Sequence, residues 1–214
     1  MNVHSEPEKN PLYDDTLLQF VAACNAYCQW LEDLDISQPG DFLQEALAHL
    51  ADIYPLAVRI ELPDPMLEGG NEKFVTEQDW AAIFQKTRKV LGAHNNYLRV
   101  AANDEFDRSD LVSHTISEDL ADMYQDLKDF TMQFRRGLEE IMNDAVWEVL
   151  SNFEQYWGIK LLNALGALHQ LHVSKTELDA SGPSAPGAGD EEDVPKYDTG
   201  FLKNFLDQSE DDDV

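Results

Sequence analysis

The sequence predicts an all-α fold: an irregular bundle of about five to six helices with a long C-terminal helix, followed by a disordered acidic tail. Three observations predict it. Apolar residues recur at spacings of three and four over long stretches, the period of a helix with one buried face. Proline and most glycines fall between those stretches, while Gly158 and Gly166 interrupt the last of them. At Ser181 the composition changes to SGPSAPGAG and then to acidic runs, which cannot build a core.

The first predicted helix spans Leu12 to Asp33, with Leu17, Val21, Cys24, Cys28 and Leu31 as its stripe. Cys24 and Cys28 sit one turn apart on that stripe. A helix holds such a pair about 6 Å apart, a poor geometry for a disulfide, so they read as small core residues. The second runs Asp41 to Tyr54 on Leu43, Leu47, Leu50 and Tyr54, and Pro55, Pro63, Pro65 and Gly69-Gly70 then mark a long connection. Thr76 caps a third helix that carries Trp80, Ile83, Phe84, Val90 and Leu91 and ends near Gly92. Residues 93–110 are ambiguous, with Tyr97–Val100 readable as a short extended piece.

Thr115-Ile-Ser-Glu118 has the form of a capping box, and Leu120, Met123, Leu127, Phe130 and Phe134 follow as a clean stripe. One long helix is predicted from Gly137 to His172, its stripe including Leu138, Met142, Val149, Phe153, Trp157, Leu161, Leu168 and His172. The bundle domain is therefore read as 1–173 and the flexible acidic tail as 174–214. The tail holds 12 acids against 3 bases, with one apolar island at Phe201, Leu202, Phe205 and Leu206. That island is suited to contact a partner.

The chain carries 42 acidic and 15 basic residues, a formal net charge of -27. Such a surface repels phosphate backbones and anionic lipid, so nucleic acid and membrane are excluded as partners, whereas a basic protein or peptide is compatible. No apolar run approaches a transmembrane length and the first residues do not read as a secretory signal, so the expected compartment is the cytoplasm.

Chemistry is most plausible at Glu118, Asp119, Asp122 and Asp126. Glu118, Asp122, Asp126 and Asp129 read as one helix face, a ladder that repels itself unless cations, basic groups or water answer it. A divalent cation is one answer, because hard ions take oxygen ligands. Glu118-Asp119 with Asp122 resembles half of the magnesium site of all-helical nucleotide pyrophosphohydrolases. The other half departs, since Asn143 follows Glu140 at three and Ser151 follows Glu148. No phosphate loop, nucleophile elbow or histidine–glutamate zinc helix occurs. Two functions therefore stand: an acidic scaffold or protein-interaction module that needs no cofactor, and a Mg- or Mn-dependent enzyme acting on nucleotides or other phosphorylated small molecules.

The strings DLADMYQDLKDF at 119–130 and FEQYWGIKLLNALGALH at 153–169 resemble an uncharacterised helical family common in Bacteroidetes, a domain of unknown function. The resemblance covers about Leu17 to His172. It implies a bacterial all-helical protein and lends no reaction. It places the family's recurrent positions on Asp119, Asp122, Tyr124, Asp126, Lys128, Trp157, Gly158 and His169. Of these, Tyr124, Lys128, Trp157 and His169 are candidates for a pocket or for packing.

Overall fold

The computed structural model describes residues 10–37, 39–100 and 111–178. Pro11–Tyr13 form one 3-10 turn, and α1 runs Asp15–Asp33. Where the sequence predicts a single helix from Leu12, Asp14 intervenes with extended backbone. Its carboxylate then caps α1 by accepting the Thr16 amide at 2.8 Å. Helix α2 runs Phe42–Ala57 and passes through Pro55, beyond the predicted end at Tyr54. The proline stands in the last turn, where its missing N–H removes only one backbone bond.

Thr76 and Asp79 form a reciprocal capping box that starts α3, Glu77–Leu91. Gly92, at φ 53°, ends it, a backbone region that favours glycine. The extended reading of Tyr97–Val100 matches strand β1, Asn96–Val100. Its antiparallel partner β2, Leu111–Thr115, pairs Asn96 with Thr115 and Val100 with Leu111. Helix α4, Ile116–Phe134, leaves β2 directly, with the Thr115 hydroxyl accepting the Glu118 amide at 3.3 Å.

The predicted long C-terminal helix has three parts. These are α5, Glu139–Asn152, a π-helical turn at Phe153–Trp157, and α6, Gly158–Val173. It starts two residues later than predicted because Gly137 takes φ 70°. Leu138 consequently stands at the cap and is exposed rather than on the buried stripe. His172 is exposed too, one turn beyond Leu168, the last buried residue of α6.

Helix α4 is the centre of the bundle and packs on α1, α3, α5 and α6, while α2 lies against α1 and α6. Phe20, Tyr27, Leu50, Met123, Leu127 and Trp157 are among its fully buried side chains. Each such side chain contributes roughly 1.5–3 kcal/mol of burial. Cys24 and Cys28 are buried free thiols in this core. The apolar residues Phe201, Leu202, Phe205 and Leu206 of the predicted tail lie outside the described residues.

Candidate functional site

Helix α4 turns a row of carboxylates inward. Asp119 and Asp129 are buried, and Asp122 and Asp126 are partly buried, at successive spacings of three, four and three. The face differs from the predicted one by one member. Glu118 is exposed on another side of the helix and Asp119 takes its place. An inward acid row on a central helix is costly unless every charge meets a donor. The neighbouring elements supply those donors in order.

At the first step, Lys160 of α6 lies 3.6 Å from Asp119 and 2.7 Å from Asp122. Asp119 also accepts a short hydrogen bond from the Tyr97 hydroxyl of β1, and the Tyr97 ring stacks on His114 of β2. Asp122 accepts from Trp80 Nε1 at 2.8 Å and from the Tyr156 hydroxyl of the π-turn at 2.7 Å. Lys160 Nζ sits 4.9 Å from the centre of the Tyr156 ring. Burial drives the Asp119 carboxyl upward, against Tyr97 and Lys160, which favour its charge. Burial also raises Tyr156 to about 12, helped by its bond to Asp122. Burial works against the Lys160 ammonium, but Asp122 outweighs it and the net shift is upward.

Further along, Asp126 accepts from Asn152 Nδ2 of α5 at 3.0 Å. Burial lifts its carboxyl to about 6, partly opposed by Asn152 and Lys73 and reinforced by Glu148 and Asp129. Asp129 accepts the Phe74 and Val75 amides at 2.7 and 2.9 Å. Lys73 spans Asp129 and Glu148 at 3.8 and 2.8 Å. As the acids advance along α4, their partners step backward from Lys160 through Tyr156 to Asn152. The two helices therefore run antiparallel with a polar seam between them.

Tyr124 and Lys128 meet elsewhere, on the α1 side. The Tyr124 hydroxyl donates to Glu32 at 2.8 Å and Lys128 pairs with the same carboxylate at 2.6 Å. Trp157 is fully buried and donates Nε1 to the Val149 carbonyl at 2.9 Å, a packing role. His169 is exposed. Glu118, Asp119, Asp122 and Asp126 are thus not gathered at one point. Among the described residues no group of three or more His, Cys, Asp or Glu side chains is placed to hold a metal ion. What the seam does is electrostatic: it ties α3, α4, α6 and the β-ribbon to one another.

A second use of acid was not visible in the sequence. Asp144 of α5 is buried and accepts the Met66 and Leu67 amides at 2.7 and 2.9 Å. Asn143 donates to the Asp64 carbonyl at 2.7 Å, and Asn71 donates to Asp144 O and Glu148, each at 2.9 Å. The connection between α2 and α3 is thereby pinned to the bundle. Its Leu62, Met66 and Leu67 nevertheless remain exposed, beside exposed Glu61, Asp64 and Glu68. Asp144 stands out in the sequence with Glu139, Glu140 and Glu148 as an acidic group, but its partners lie 77 and 78 residues away and no local pattern announces them. Lys160 did leave a signal, as the single charged side chain in the mostly apolar run 158–168.

Among the described residues no helix is long and apolar enough to cross a membrane. No curated protein matches the chain. The crystal structure of protein BF1032 from Bacteroides fragilis is similar to it, with a TM-score of 0.64 and 27% sequence identity over 84% of this chain and 99% of that one. The model of a domain of unknown function, DUF5063, matches residues 11–174 and so takes in every helix and strand among the described residues and the whole seam. This chain belongs to the DUF5063 family of domains of unknown function, with an all-α bundle as its fold.

Proposed function

We propose that the protein is a non-catalytic interaction module that receives a basic partner with apolar side chains. The observation that carries this reading is the pinned connection between α2 and α3. Backbone amides held by a buried carboxylate make a loop rigid, and a rigid loop loses little entropy on binding. This one presents Leu62, Met66 and Leu67 to solvent between Glu61, Asp64 and Glu68. Methionine adapts its shape to a partner, and the flanking acids attract positive charge. The seam supports the same reading, because its carboxylates are committed to Lys160, Tyr156, Trp80, Asn152 and Lys73 within the fold. The tail repeats the pattern in sequence, with Phe201, Leu202, Phe205 and Leu206 between acidic runs.

Affinity capture from native lysate tests this with the full chain and with a variant carrying Leu62→Ser, Met66→Ser and Leu67→Ser. The expected result is one basic protein retained in stoichiometric amount by the parent chain, lost with the variant and released by raised salt. Equal retention by both proteins, or none at low salt, would overturn the proposal.

A further inference from the structure

Residues 71–75 of the α2–α3 connection are fastened mainly by two carboxylates. Asn71 and Lys73 donate to Glu148 of α5 at 2.9 and 2.8 Å. Lys73 also lies 3.8 Å from Asp129 of α4, and the Phe74 and Val75 amides donate to that side chain at 2.7 and 2.9 Å. Between Lys73 and the facing sides of α4 and α5 lies a cavity of about 10 Å³, room for at most one water. Asp126, Glu148 and Asn152 line it together with Lys73, Phe130 and Val149.

Three carboxylates and one ammonium meet around this cavity. The charges acting on Asp126 are Lys73 from the connection, Glu148 from α5 and Asp129 from its own helix. Lys73 is already shared by Glu148 and Asp129. Asp129 Oδ2 is buried and accepts no hydrogen bond from the described residues. The two fastening acids are thus incompletely answered, and a third ionised carboxylate finds neither a spare cation nor bulk water. A proton on Asp126 removes that excess without opening the cavity. The movable wall is the connection. Residues 71–75 have no regular structure, whereas α4 and α5 are hydrogen-bonded helices packed on each other.

We propose that the cavity is a proton-gated latch: a proton on Asp126 keeps residues 71–75 down on α4 and α5, and its loss lets them lift. Burial holds the closed-state carboxyl at about 6, and lifting the segment returns water to it and brings it back towards its ordinary range. The closed form therefore binds the proton more tightly, and opening is favoured as pH rises through about 6. As regulation of the docking surface this rests on the preceding reading, because the same connection presents Leu62, Met66 and Leu67. The latch itself involves no partner.

Amide hydrogen exchange of the full chain at pH 5 and pH 7, read by NMR with intrinsic rates divided out, is the test. The opening constant at Phe74 and Val75 should rise about tenfold between the two pH values. Both amides should be less protected than that of Cys24 in the α1 core, which marks the opening as local. Asp126→Asn should hold both amides at their pH 5 protection throughout. A parent chain whose Phe74 and Val75 opening ignores pH, protection equal to that of Cys24 at both pH values, or an Asp126→Asn protein that keeps the parent's pH dependence would each overturn the latch. The parent's profile decides the matter even if the variant fails to fold. Partner capture plays no part in this readout, so the latch and the docking reading fail separately.

Discussion

At the scale of single residues, the structure turns on how each inward acid is answered. Asp122 has three donors in Trp80, Tyr156 and Lys160, whereas Asp126 has one short contact, from Asn152. Burial lifts the Asp126 carboxyl from its ordinary 3.8 to about 6. Between those two values the folded state holds more protons than the unfolded state. By linkage, stability then falls as pH rises through this window and levels off above about 6. Asp126→Asn removes the charge and keeps an acceptor for Asn152. We expect it to stabilise the protein by about 1–2 kcal/mol at pH 7.5 and by little at pH 4. Urea titrations of both proteins at the two pH values check this. Equal midpoints at pH 7.5 would show that Asp126 ionises without cost. The sequence exposed the acids but not their direction. Periodicity locates a buried face by its apolar members, so Asp119 was legible as part of a cluster while its partner Tyr97, 22 residues earlier in a strand, was not.

Among the elements, the π-turn at Phe153–Trp157 organises the C-terminal half. It supplies Tyr156 to Asp122 on one side and buries Trp157 in the core on the other. A π-turn inserts one residue into a helix and thereby re-aims the side chains that follow. The Gly158 amide closes the turn on the Phe153 carbonyl. A Cβ on Gly158 would stand 2.4 Å from that carbonyl oxygen and 2.9 Å from the Phe153 ring. Gly158→Ala is therefore expected to cost roughly 1–3 kcal/mol through overpacking. Gly166→Ala, in open space on the same helix, should gain up to about 1 kcal/mol from helix propensity. Chemical denaturation of the two variants separates the cases, and a gain for both would mean that the turn has no steric need of glycine. The sequence read this region as one helix because Val149, Phe153, Trp157 and Leu161 keep a spacing of four straight through the insertion. The caps at Thr76 and Thr115 were legible, since capping depends on neighbours two or three residues away.

For the whole molecule, charge repulsion adds to the entropy that opposes folding. The bundle buries a continuous apolar core around α4, and a formal charge of -27 works against compaction. Surface repulsion is screened by salt, whereas the buried seam pairs are screened far less. The melting temperature should consequently rise by several degrees between very low and physiological ionic strength, measured calorimetrically with the same monovalent salt. A falling melting temperature would show that exposed ion pairs, such as Arg136–Glu72 at 2.8 Å, outweigh the repulsion. The all-α class was legible at this scale because long stripes must be buried against one another. The anchoring of the α2–α3 connection was not, since contacts across more than 70 residues leave no mark on a local pattern.

Cys24 and Cys28 bear on how this molecule can be studied. Both thiols are fully buried, and burial pushes both well above their ordinary range, so neither supplies thiolate at neutral pH. The native protein should therefore be silent toward maleimides and other thiol reagents while folded. A cysteine introduced at an exposed site would then be the sole reactive thiol among the described residues, with both native cysteines left in place. Spin labels or fluorophores at Val173 on α6, or at Leu67 in the pinned loop, would report distances without first dismantling the core.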